Sequence, residues 1–151
     1  MKIICDTREK YPWQFDEKYV DEVIHRKVDT GDYAIEGLEQ VLCIERKRNV
    51  QELVLNIRGD RFTRELERMQ SYKHRFLICE FDLDDIRKYP VGSSIPKKEL
   101  AKVRANGEWI LKCITRLQVK YGLNVVYAGD VDNAIWIVTK IMLEVEKNER
   151  G

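Results

Sequence analysis

The chain has 151 residues, 44% of them hydrophobic and 35% charged, with a net charge of +1. That length accommodates one compact domain with a sizeable core, and the composition excludes a disordered or fibrous chain. Near-neutrality excludes a globally basic nucleic-acid arm and leaves local patches open.

The opening MKIICDTREK carries a β-branched run, Lys2 to Cys5, which predicts a central strand ending at Asp6. VIHRKVD and DYAI predict two strands around a turn at Thr30-Gly31. QVLCIERK predicts another strand, running from apolar residues straight into Glu45-Arg46-Lys47. Asn49 precedes Glu52 by three residues, the spacing of an N-cap with a reciprocal partner, and opens a helix whose stripe is Val50, Leu53, Val54 and Ile57. After Gly59-Asp60 a second helix turns Phe62, Leu66 and Met69 inward. RFLICEFD predicts a buried strand, and YPVGSSIP a loop with Ser94 as a cap for PKKELAKV. NGEWILKCITRLQVKYG predicts an amphipathic helix with Trp109, Ile110, Cys113, Ile114 and Leu117 inward and Gly122 at its end. NVVYA is the last strand.

DVDNAIWIVTKIMLEVEK is the closing helix, with Val131, Ala134, Ile135, Val138, Met142 and Val145 on one stripe and Trp136 and Leu143 on another face. Strands in meander order followed by strand–helix alternation predict an α/β fold, a mixed central sheet flanked by helices. No linker or repeat interrupts it, so residues 1–151 read as a single domain.

Cys5, Cys43, Cys79 and Cys113 are widely spaced and form no CxxC pair, which argues against a zinc site. Three of them lie in apolar runs, which suits reduced thiols. The N-terminus lacks a signal-peptide apolar region, and no run approaches a membrane span. The expectation is a cytoplasmic protein with no membrane partner.

Alternate side chains of a strand share a face. Glu45 and Lys47 therefore point one way, with Cys43 and Val41 behind them, and Arg46 points the other way with Ile44 and Leu42. Asp32 begins the preceding strand; if the two strands pair, Asp32 and Glu45 meet at one end of the sheet. Two converging carboxylates repel unless protonated or bridged by a cation. Mg²⁺ prefers such oxygen ligands together with a substrate phosphate. Lys47 on the same face could orient water or stabilise a developing oxyanion. Asp6, from the first strand, could complete the cluster. The same residues also fit a plain turn at Gly-Asp and a solvated Glu-x-Lys ion pair.

CDTREKYPW, TGDYAIEG, CIERK and RGDRFTRELERM stand in an order that resembles the XPF-type nuclease domain. That domain, a branch of the PD-(D/E)xK restriction-endonuclease-like fold, is shared by eukaryotic XPF-like flap endonucleases and archaeal Hef. The likeness extends to small stand-alone phage and bacterial members, which also carry YPW and an RF…ELER helix, and so implies a prokaryotic or phage-infected cell. The resemblance implies that Asp6, Asp32 and Glu45, with the main-chain carbonyl of Arg46, ligate Mg²⁺ or Mn²⁺. It makes Lys47 the catalytic lysine, with Arg8, Glu9 and Arg46 as supporting catalytic-site residues. The implied activity is hydrolysis of DNA at flaps, forks or other branched duplexes, in repair, recombination or replication. Two departures stand out: Gln51 occupies a place that is often Asp, and Gly59-Asp60-Arg61 replaces a Gly-Arg order. No tandem helix-hairpin-helix module is expected within these 151 residues.

Between Ile44 and Arg75 there are nine Lys/Arg against five Asp/Glu. Arg61, Arg64 and Arg68 form an i, i+3, i+7 stripe on the second helix. With Arg48 and Arg58 they are the candidate DNA-backbone contacts, although the stripe also fits an ordinary solvated face. The second apolar pair on the closing helix and the family's habit of dimerising point to a homodimer through the C-terminal helices. The alternative to an enzyme is a non-catalytic DNA-binding or partner-recruiting domain that keeps the fold.

Overall fold

Strands β1 (Lys2–Cys5), β2 (Glu22–His25), β3 (Tyr33–Ile35), β4 (Leu42–Lys47), β5 (His74–Cys79) and β6 (Asn124–Tyr127) make one sheet in the order β2-β1-β3-β4-β5-β6. The computed structural model describes residues 1–151. β3 pairs antiparallel with both β1 and β4; the β1–β2, β4–β5 and β5–β6 pairs are parallel. The sheet is therefore mixed, as expected. Helices α1 (Val50–Ile57), α2 (Asp60–Met69), α3 (Leu83–Lys88), α4 (Gly107–Tyr121) and α5 (Val131–Arg150) flank it.

Two cores lie on opposite faces of the sheet, and β4 shows why. Cys43 packs with Leu53, Leu66, Leu77 and Ile110, the side of α1, α2 and α4. Leu42 and Ile44 pack with Trp13, Tyr33, Val138 and Met142, the side of α5. A strand covered on both faces must be apolar at successive positions, and every residue from Leu42 to Lys47 is buried. The charged end of β4 is thus enclosed, and a solvated ion pair there is ruled out.

The segments around Thr30-Gly31 do not form the expected hairpin. β2 pairs with β1 at the sheet edge, and β3 lies on the other side of β1. The reason sits at the end of β1: Cys5 and Asp6 capture the amides of Arg26 (3.2 Å) and Val28 (2.8 Å), so the chain wraps around β1 before returning as β3.

Asn49 caps α1 by accepting from the Glu52 amide at 2.9 Å. The reciprocal bond is shifted by one residue, since Glu52 accepts from Arg48 at 3.4 Å. Val50, Leu53 and Val54 are buried as expected, and so are Phe62, Leu66 and Met69 on α2. α3, unforeseen in the sequence, rests on the reciprocal Asp82–Asp85 capping bonds; with only Ile86 buried in six residues, it is too short to show a stripe. Ser94 caps nothing: PKKELAKV forms a 3-10 helix from Lys97 to Lys102 behind Pro96. On α5, Ala134, Val138, Met142 and Val145 are buried, but Val131 is exposed and Thr139 joins the inner face. Trp136 lies 65% exposed. No helix is long and apolar enough to cross a membrane.

Candidate active site

Gly31 lets β3 approach β4. Its φ is +87°, and a Cβ there would meet the Ile44 carbonyl at 2.8 Å and Cys43 Sγ at 2.9 Å. Only glycine tolerates both that backbone and that closeness. The next residue, Asp32, donates its amide to the Ile44 carbonyl at 2.7 Å. With Tyr33 opposite Ile44 in this antiparallel pair, Asp32 lies across from Glu45. The Gly-Asp corner therefore serves a junction between two strands.

The Asp32 carboxylate accepts the Arg46 amide at 2.7 Å. Glu45 Oε1 accepts from Lys47 Nζ at 2.5 Å, and both side chains are buried. Burial, then repulsion by Glu45, pushes the Asp32 carboxyl up to about 8. Burial also pushes the Glu45 carboxyl up against the pull of Lys47, and Glu65 adds to the rise. Burial opposes the charge on Lys47, but Glu45 outweighs it and holds the ammonium above its usual value. These groups open into a cleft of about 350 Å³ that also includes Asp6, Arg8, Glu9, Glu52, Arg61 and Glu65.

Asp6 stays outside the carboxylate pair. Its Oδ2 accepts from Arg8 Nε at 2.6 Å and its Oδ1 from the Val28 amide at 2.8 Å. Burial works against its charge, but the Arg8 and Val28 bonds hold its carboxyl below the usual range. No three His, Cys, Asp or Glu side chains converge at metal-binding distance. No three-carboxylate group forms around Asp6, whose two oxygens bond Arg8 and the Val28 amide. Asp32 and Glu45 face each other across β3 and β4, and Asp6 bonds the guanidinium of Arg8 at the cleft.

Arg46 crosses to the other face. Its guanidinium bonds Glu80 (2.7 and 3.3 Å), Glu9 (2.9 Å) and the Tyr11 carbonyl (2.6 Å), and lies 4.9 Å from the Trp13 ring centre. Trp13 Nε1 donates to Glu80 at 2.5 Å, and the Tyr33 hydroxyl donates to Glu9 at 3.0 Å. Arg46 thereby joins two roles in one residue: its amide holds Asp32, and its side chain is clamped by two carboxylates.

The five candidate DNA-contacting arginines separate. Arg61 lines the cleft. Arg48 lies in the adjacent hollow, its guanidinium 4.3 Å from the Tyr11 ring centre. Arg58 turns to α4 and sits 5.6 Å from the Trp109 ring centre. Arg64 and Arg68 are exposed on α2. Glu65, one charge among many in the sequence of α2, reaches the cleft. Its place three residues after inward-facing Phe62, beside Leu66, is the signal that marks it.

A mixed sheet with this strand order and these flanking helices is the α/β nuclease fold that the motifs implied. The ERCC4 domain family matches residues 5–140, and the chain belongs to that family. Among solved structures it is similar to XPF from Aeropyrum pernix, with a TM-score of 0.67 at 16% identity over 99% of this chain and 69% of that one. It is also similar to XPF from Aeropyrum pernix in complex with DNA, with a TM-score of 0.68 at 17% identity over 98% of this chain and 66% of that one. The chain thus spans about two thirds of those chains. A comparison with curated proteins gave no match.

Proposed function

We propose that the chain is a metal-dependent endonuclease that hydrolyses phosphodiester bonds in branched duplex DNA such as flaps and forks. The observation that carries this is the meeting of Asp32 and Glu45 across two strands, with Lys47 bonded to Glu45, at the floor of a cleft. Burial raises the affinity of both carboxylates for protons, with Glu45 adding to the rise of Asp32 and Glu65 to that of Glu45, which is the electrostatic situation that a divalent cation relieves. Their hard oxygen atoms suit Mg²⁺ or Mn²⁺. Asp32 and Glu45, with the Arg46 carbonyl, would hold the ion. When bound, it supplies positive charge against the phosphate and acidifies water at neutral pH.

The chain's own groups do the rest. Lys47 keeps its proton under the pull of Glu45, so it acts as a hydrogen-bond donor to water or to the phosphate oxygen and not as a base. Arg8, oriented by Asp6, and Arg61 present guanidinium groups to phosphate in the same cleft. The Arg46 amide fixes the direction of the Asp32 carboxylate. Attack by water on phosphorus needs no covalent enzyme intermediate. The relative solved with DNA supports DNA as the ligand. A homodimer through the exposed Trp136 face of α5 belongs to the same reading. Trp136→Ala with Leu143→Glu would then lower the sedimentation coefficient.

Labelled flap, fork, four-way junction and linear duplex, each with Mg²⁺ or EDTA, form the test. Cleavage with Mg²⁺, none with EDTA and none from Asp32→Asn or Lys47→Ala is expected, with circular dichroism showing both variants folded. Metal-independent binding without any cut would instead establish a non-catalytic DNA-binding domain.

A further inference from the structure

Three aromatic residues stand near the start of the chain's catalytic motifs, and the fold treats them differently. Trp13 and Tyr33 are 2% and 0% exposed and stack on each other with ring centres 4.5 Å apart. Tyr11 is 62% exposed. Its backbone is nevertheless fixed: the Tyr11 carbonyl accepts from Arg46 at 2.6 Å, and two residues on, Trp13 is bonded to Glu80 and to the Tyr33 hydroxyl. The guanidinium of Arg48 lies 4.3 Å from the ring centre. Tyr11 is two residues beyond Glu9, and Arg48 directly follows Lys47; both Glu9 and Lys47 line the cleft. An exposed ring on an anchored backbone, two residues from a side chain that lines the cleft, has already lost the freedom that binding would otherwise remove.

We propose that Tyr11, backed by Arg48, is a stacking platform for an unpaired nucleobase next to the scissile phosphate. The proposal rests on the nuclease reading for the position of that phosphate. Inside a duplex both faces of a base are covered by its neighbours, so only a base outside the stack can lie on the tyrosine ring. Stacking reads the π-face common to all bases, so the platform favours a DNA shape over a sequence. Arg48 holds the ring on one side by a cation–π contact and brings a positive charge for the adjoining backbone.

The test uses a flap oligonucleotide with 2-aminopurine in the unpaired arm beside the junction, bound in EDTA so that no cutting occurs. Wild type and Tyr11→Phe quench the fluorophore; Tyr11→Ala loses the quench and binds about tenfold more weakly. In Mg²⁺, the ratio of flap to fully paired cleavage falls about tenfold in Tyr11→Ala and is kept in Tyr11→Phe. Unchanged quench and affinity in Tyr11→Ala overturn the platform, even where cleavage proceeds. Absence of cleavage on any DNA, with the quench still lost in Tyr11→Ala, overturns the nuclease reading and leaves the platform standing. Failure to bind any DNA overturns both.

Discussion

Lys47 Nζ lies 2.5 Å from Glu45 Oε1, and neither residue is more than 6% exposed. Removing one partner of a buried ion pair leaves the other without compensation, at a typical cost of about 3–5 kcal/mol. Glu45 can escape part of that penalty by taking a proton. Lys47→Ala should therefore lose about 3 kcal/mol of stability at pH 8 and visibly less at pH 5. Urea melts at the two pH values measure this, and an equal loss at both would contradict the pairing.

Asp32 supplies a pH dependence of defined sign. Its carboxyl is pushed up to about 8 by burial and by Glu45, whereas in the unfolded chain it titrates near 4, as carboxyls do. The folded chain therefore binds this proton more tightly. The stabilisation is complete below the unfolded pKa and is lost as pH rises to the folded one. In EDTA the melting temperature should fall between pH 4 and pH 8, and Mg²⁺ should remove most of the fall by binding only the folded site. Asp32→Asn, which still offers an oxygen to the Arg46 amide, should flatten the EDTA profile and raise the melting temperature at pH 8 by about 2–4 °C. A flat wild-type profile in EDTA would count against two carboxylates repelling each other at the site.

The parts of the site that were legible in the sequence follow from short-range geometry. Alternation along β4 separates Glu45 and Lys47, which line the cleft, from Arg46, which bonds Glu80, whereas Val41, ahead of the strand, packs with Leu42 and Ile44 and not with Cys43. The Gly31-Asp32 corner beside a second strand brings the two carboxylates together through local pairing. Asp6 was harder, because its partners depend on the path of the chain after β2, and nothing local encodes the arrival of Val28. The same holds for Glu80, whose buried bonds to Arg46 and Trp13 join segments distant in sequence. Glu65 was hidden by its neighbours: in a run as charged as Arg64-Glu65-Leu66-Glu67-Arg68, composition does not show which carboxylate turns toward the cleft.

Arg46 should prove the least replaceable side chain of the set. Glu9 and Glu80 both depend on it, and both are largely buried. Arg46→Ala leaves two carboxylates facing each other and should destabilise the protein by at least about 3–5 kcal/mol. Arg46→Lys keeps the charge but not the fork that reaches Glu9, Glu80 and the Tyr11 carbonyl together. It should fall between wild type and alanine in urea melts. Equal stability of lysine and wild type would show that charge alone suffices and that the fork is dispensable.

The basic residues after β4 should differ in how they engage DNA. Arg61 lines the cleft, whereas the Arg58 guanidinium rests on Trp109. A guanidinium that contacts phosphate releases a counterion, so its loss lowers the slope of log affinity against log salt concentration by about one. Arg61→Ala should show that change and weaken binding to the same degree on DNA of any sequence, since phosphate carries no base identity. Arg58→Ala should alter the slope less, because its side chain is held against α4. Fluorescence-anisotropy titrations of a flap across several salt concentrations separate the two. A larger slope change for Arg58→Ala than for Arg61→Ala would move the DNA path away from the cleft that holds Asp32 and Glu45.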